Sequence, residues 1–241
     1  MLKKVFFPNS TNYYVWINSL LMLLLLAVNL AEPITIVFAY FFETIIIGIF
    51  HILKLWLVIT KGSSNKQNGK RSKSFGLIPF FIFHYGMFVL VQSIFVFSFF
   101  ESSVPGISNG FNIIHNFGIL LNEKGMGVIL TSIFFTNLAY FYNNFLANEK
   151  FREYAADEIF FRPYVRIFIQ QFVVVFAGFF FVVFSAAYAA AVLLIFLRLP
   201  VDLIIVSIEK KSPAFDATMK KYSKSHDHFL QMKRKYQEFS E

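Results

Sequence analysis

Eight residues of this chain have the types and placement to do chemistry inside an apolar environment: Glu43, His51, His84, Gln92, Arg166, Gln171, Arg198 and Asp202. All lie within or at the margin of strongly apolar stretches, where an ionisable group left facing hydrocarbon is costly. Such groups turn toward one another or line a polar cavity, as in proton relays and ion pathways. Arg198 and Asp202 are one helical turn apart, so a guanidinium and a carboxylate on one helix can meet. Glu43 has too short a side chain to reach the membrane surface, which makes it the first choice for a functional residue or a structural polar clamp. At 100° per residue Lys54 falls ~20° from Glu43 and His51 ~80° away, so Glu43 and Lys54 share a stripe with His51 at its margin. Lys54 is near a helix end and is expected to snorkel. With Asn143, Asn144 and Gln170, the set describes a polar cavity open toward the cytoplasm. The competing expectation is a scatter of helix-to-helix hydrogen bonds, worth ~1 kcal/mol each.

Other chemistries find little support. Glu43, His51, His84 and Asp202 are the available metal ligands, yet no His-Glu-x-x-His or multi-His pattern joins them, and no metal site is assigned. The chain has no Cys, which removes disulfides, thiolate ligands and thiol nucleophiles. An intramembrane glutamic protease needs paired glutamates on one helix, whereas Glu43 is followed by Thr44. Phosphate-cradling glycine loops and Ser/His/Asp arrangements are missing, and the cofactor question stays open. Three functions stand: small-solute or proton-linked transport, an intramembrane enzyme with or without a metal, and a structural or signalling protein without chemistry. Gly48, Gly86 and Gly178 are isolated in their segments, and no inverted repeat marks a transporter fold.

The elements that must position these residues follow from composition. Of 241 residues, 57% are hydrophobic, 20% aromatic and 15% charged, which excludes both an ordinary soluble domain and a disordered chain. Six apolar stretches, at about 14–30, 34–59, 75–100, 126–146, 165–184 and 187–208, read as transmembrane helices. Leu20 to Leu26 and Val173 to Phe184 are apolar on every side, which argues against the alternating pattern of a β-barrel. The expected fold is an all-α polytopic bundle over residues 1–208, followed by a cytoplasmic tail over 209–241. Pro33 starts the second span, residues 111–121 form a short interfacial helix, and a tight turn near 185–189 separates the last two spans.

Charge orients the bundle. Alternating six spans puts 19 of the 22 Lys and Arg residues on one side and only Lys124 on the other, with Lys54 and Arg198 inside spans. The positive-inside rule then makes both termini cytoplasmic and the protein multi-pass in the plasma (inner) membrane. The first span is expected to be retained, because Phe6, Phe7 and Pro8 interrupt a signal-peptide pattern and Asn29 is too large for a cleavage site before Ala31. The expected partners are the lipid bilayer and the anionic head groups facing the basic loop and tail, rather than nucleic acid. In the tail, Phe215, Met219, Tyr222, Phe229 and Tyr236 alternate with Lys220, Lys221, Lys224, Lys233, Arg234 and Lys235, as on a basic amphipathic helix. His226-Asp227-His228 within it reads as solvated.

Several segments carry a family likeness. Tyr40-Phe41-Phe42-Glu43 with Gly48-Ile49-Phe50, Phe83-His84-Tyr85-Gly86-Met87-Phe88, Arg162-Pro163-Tyr164-Val165-Arg166-Ile167, and Arg198 with Asp202-Leu203 resemble a bacterial family of uncharacterised polytopic membrane proteins. The likeness runs from Ile34 to Ile208 and rests most on the His-Tyr-Gly and Arg-Pro-Tyr-x-Arg-Ile segments. It departs from the family pattern at Gln171, where that pattern has His, and at Arg198, where it has Lys. A metal or proton role at those two positions is not carried over. The resemblance implies a multi-helix membrane fold and no known activity, substrate or cofactor.

Overall fold

A computed structural model of the chain describes residues 6–9, 12–62, 75–101, 104–107, 109–152, 154–164, 167–168, 172, 175–176, 179, 187–209, 220, 223, 225 and 227–231. Among these the protein is all-helical. Helix α1 (Tyr13–Ala27) is apolar on both faces: Ile17, Leu20 and Leu24 point outward, while Val15, Met22, Leu25 and Leu26 are buried. That two-sided pattern suits a helix with protein on one side and lipid on the other.

Helix α2 (Pro33–Lys61) is the axis of the bundle and the most enclosed element. Pro33 opens it in the first turn, where a missing N–H costs nothing. It packs against α3 (Leu77–Phe100), α5 (Met126–Phe141) and α7 (Ala187–Glu209), while α1 rests on α5 and α7. Phe38 and Phe41 of α2 interlock with Phe97 and Phe100 of α3 and with Phe117 of α4 (Ile113–Leu121). The outer face of α3 exposes Phe80, Phe83, Met87, Leu90, Val91 and Phe95, far more apolar surface than a water-soluble helix presents.

Between α4 and α5 the chain bends by 96°. Gly125 makes the corner with φ of +87°, and a Cβ there would meet the Leu30 carbonyl at 2.6 Å. The Thr35 hydroxyl donates to the Lys124 carbonyl at 3.1 Å, tying the start of α2 to the same corner. At its far end α5 widens into a π-helical turn, Tyr142–Leu146, which carries Asn143 outward and Asn144 into the interior. The 3-10 turn Lys150–Arg152 and the short α6 (Ala156–Phe160) then fold back over the last turns of α2.

Helices α2 and α3 are long and apolar enough to cross a membrane, and α4 with α5 through Leu146 makes a third if the bent pair is one span. Helix α1, at 15 residues, is shorter than the ~20 needed to cross without thinning. The stretch 165–184, read as a fifth span, lies largely outside the described residues, as does most of the 209–241 tail. Of the turn expected at 185–189, residues 185 and 186 lie outside them too, whereas Ala187 to Ala189 are already the first turn of α7.

Candidate functional site

Three helices meet around one buried carboxylate. Helix α2 presents Glu43 and, one turn earlier, Tyr40; α7 presents Arg198 and Asp202; α5 presents Asn137. Glu43 and Arg198 are each only 5% exposed. The Arg198 Nη2 donates to Glu43 Oε2, and Arg198 Nε donates to Asp202 Oδ2 at 3.1 Å, so one guanidinium joins two carboxylates. The two N–H bonds of the Asn137 amide go to Glu43 Oε1 at 3.1 Å and to the Ile133 carbonyl at 2.9 Å. The Arg198 guanidinium also lies over the Tyr40 ring, 4.2 Å from its centroid, a cation-π contact strengthened by exclusion of water. The one-turn spacing of Arg198 and Asp202 thus produces the contact that the sequence leads one to expect.

Beside this cluster lies a cavity of about 30 Å³ lined by Glu43, Asp202, Asn137, Tyr140, Asn18 and Tyr14, among others. Roughly 10–15 Å³ holds one water, so the space has room for one or two waters. A second cavity of about 20 Å³ includes His51, Lys54, Asn137, Tyr140 and Pro163 in its lining. Asn137 and Tyr140 line both, and the two cavities meet at this pair. Along α2 the carboxylate of the first and the imidazole of the second are eight residues apart, ~12 Å of helix.

His51 is 3% exposed, its ring packs on Phe81 at 4.8 Å, and its Nε2 has no hydrogen-bond partner among the described residues. Lys54 does not snorkel. It is buried, with its ammonium 5.6 Å from the Tyr140 ring centroid and 5.5 Å from that of Phe145. The reason is the fold-back of the π-helical turn, the 3-10 turn and α6, which covers the end of α2 that a free helix would leave open.

The remaining expected residues separate. His84 faces away from both cavities: its Nδ1 is 2.7 Å from the Tyr164 hydroxyl and its ring stacks on Phe80. Burial pushes the Tyr164 phenol up to about 12, so it stays protonated at neutral pH and can donate to Nδ1. Gln92 is buried in α3, in neither cavity lining. Arg166 and Gln171 lie outside the described residues. Among the described residues no three His, Asp or Glu side chains gather in a way that could hold a metal ion, and of Glu43, His51, His84 and Asp202 only Glu43 and Asp202 come together, through Arg198.

Sequence reasoning missed Asn137 and Tyr140, the residues shared by the two cavities. Asn137 was detectable as an amide within the apolar run of α5; Tyr140, one turn further along, gives no signal apart from its neighbours. Other polar pairs join the elements: Ser132 donates to Asn18 at 3.0 Å, Tyr85 donates to the Thr44 carbonyl at 2.5 Å, and Tyr188 donates to Asn29 in the turn after α1. No curated protein and no solved structure matches the chain. Residues 1–219 do match a family of unknown function (DUF6498), and the chain belongs to that family.

Proposed function

We propose that the protein is a multi-pass plasma-membrane protein of bacteria that moves protons, alone or linked to a small solute, through the polar groups of its bundle. The observation that carries this is the meeting of two water-sized cavities at Asn137 and Tyr140, one bordered by the carboxylates Glu43 and Asp202 and the other by His51. Carboxylates, imidazole and phenol are the groups that exchange protons within membranes, and water between them completes such a path.

In this reading the chain crosses the bilayer six times with both termini in the cytoplasm. The support is the 19-to-1 division of basic residues and the outward apolar faces of α1 and α3. The basic 209–241 tail and the 61–73 connection then face anionic lipid head groups. The Phe-x-Glu, His-Tyr-Gly and Arg-Pro-Tyr-x-Arg segments would be the common signature of its relatives.

Purified protein in liposomes with an imposed pH gradient and a valinomycin-clamped potential tests the reading. Wild-type vesicles should acidify faster than empty ones, and Glu43→Gln should return the rate to that of empty vesicles. Equal rates in all three would refute it. A second reading, a purely structural clamp, draws on the joining of α2, α5 and α7 by Glu43, Asn137 and Arg198; it is favoured if Glu43→Gln lowers stability while no vesicle shows flux.

A further inference from the structure

The short helix α4 divides its circumference three ways. Measured from Ile114 at 100° per residue, Phe117, Ile113, Leu120 and Asn116 fall about 60–160° to one side, Leu121 only about 20° away, and Asn122 and His115 about 80–100° to the other side. The first group faces the bundle: Leu120 and Asn116 are buried, and the Phe117 ring packs on Phe41, Phe42 and Phe97. The middle sector is bare hydrocarbon. Ile114 is 88% exposed, more than any other large apolar side chain among the described residues, and Leu121 is exposed too, as is Phe111 just before the helix. His115 and Asn122 are exposed and polar. A helix lying in a membrane boundary needs such a division, because protein, acyl chains and water each take one sector.

The position of α4 agrees with this. Helix α5 and the π-helical turn that follows it, 16 and 5 residues, together run ~30 Å, which is the thickness of a hydrocarbon core. They cross without help from α4, and the 96° bend between the two helices then lays α4 along the membrane plane. Two contacts set its depth. Gly110, in the loop before α4, sits against the last two turns of α3, where a Cβ would run into Ser98 and the Ile94 carbonyl. Phe117 meets Phe41, eight residues or ~12 Å inside the start of α2. The exposed apolar sector thus lies just within the ends of the spans, beside the outward Phe95 and Phe99 of α3.

We propose that Ile114 and Leu121, with Phe111, dip into the acyl chains of the outer leaflet, the one opposite the basic loops, while His115 and Asn122 stay in water. The partner is the boundary between head groups and acyl chains. It is recognised by apolar area and depth, since α4 carries no Lys, Arg, Asp or Glu. This rests on the membrane-spanning part of the reading above and is independent of proton movement.

Spin labels on single cysteines test the placement, because the chain has no Cys of its own. Ile114→Cys, Leu121→Cys and His115→Cys are labelled in the full-length protein, with Leu90→Cys on the outward face of α3 as a mid-span reference; all four side chains are exposed in the fold, so labelling leaves the packing intact. In phosphatidylcholine/phosphatidylglycerol liposomes, power saturation compares collisions with oxygen, which concentrates in lipid, and with a water-soluble nickel chelate. Labels at 114 and 121 should favour oxygen several-fold, at shallower depth than the label at 90, and the label at 115 should favour the chelate. Chelate access at 114 and 121 equal to that at 115, with 90 deep in lipid, overturns the proposal and leaves the spanning reading standing. Chelate access at 90 overturns both. Protection of 114 and 121 from both reagents, with dipolar broadening between labels, overturns it as well and assigns the sector to a second copy of the chain.

Discussion

Replacing Arg198 by Met tests the buried cluster most directly, because the structure says which charge is then stranded. Glu43 and Asp202 both lose their guanidinium, yet their surroundings differ: the Glu43 side chain is 6% exposed and the Asp202 side chain 17%. Asp202 is the less buried of the two, while Glu43 lies deeper and keeps the Asn137 amide. Removing one member of a buried ion pair costs about 3–5 kcal/mol, and most of that should appear here. Glu43→Gln alone is milder, about 1–2 kcal/mol, because the amide oxygen still accepts from Arg198 while Asp202 holds the guanidinium, and what is lost is the neutral bond from Asn137, which met the other oxygen. Independent effects would sum to about 4–7 kcal/mol in the double variant. The cluster predicts less than Arg198→Met alone, about 2 kcal/mol, since Glu43→Gln removes the very charge that Arg198→Met strands. Unfolding in mixed micelles with rising dodecyl sulfate, followed by the fluorescence of Trp16 and Trp56, measures all four corners of the cycle. A double variant destabilised by the full sum, or an Arg198→Met protein within ~0.5 kcal/mol of wild type, would refute the account.

Two further predictions use other parts of the fold. A Cβ on Gly48 would meet the Tyr85 ring at 2.5 Å, whereas one on Gly86 meets nothing within 4 Å. Gly48→Val should therefore displace Tyr85 from the Thr44 carbonyl and cost about 1–3 kcal/mol in the same unfolding assay, while Gly86→Ala should be neutral or stabilising by up to ~1 kcal/mol; a reversed order would show the Tyr85 contact to be wrong. Because the chain has no Cys, single cysteines report sidedness without background. Asn68→Cys should react with an impermeant maleimide only in inverted vesicles and Asn122→Cys only in right-side-out cells, and labelling of both from one side would refute the orientation.

What the sequence makes legible divides along a physical line. Uninterrupted apolar runs disclose α2 and α3, because burial in lipid or protein demands them at every helical position. Local spacing discloses the contact of Arg198 with Asp202, because both partners sit on one rigid helix. Depth along an axis is also readable, since each residue adds the same rise. Azimuth between helices is not. His51 and His84 come out nearly level by that count, yet one opens into a cavity beside Lys54 and the other bonds Tyr164. Glu43 and Arg198 are 155 residues apart, and only the packing of α7 on α2 makes them partners.

Lys54 shows why this matters for function. Judged by its distance from the helix end, its ammonium should reach the membrane surface, and the inner half of the bundle would then be electrically plain. The π-helical turn after α5 and the segment folded back from it cover that route, leaving the charge among Tyr140, Phe145 and the His51 cavity. The acidic cluster is a separate group, because Glu43 is eleven residues, ~16 Å of helix, further along α2. The polar interior is thereby divided, with Glu43 and Asp202 toward one end, His51 and Lys54 toward the other, and Asn137 and Tyr140 between them.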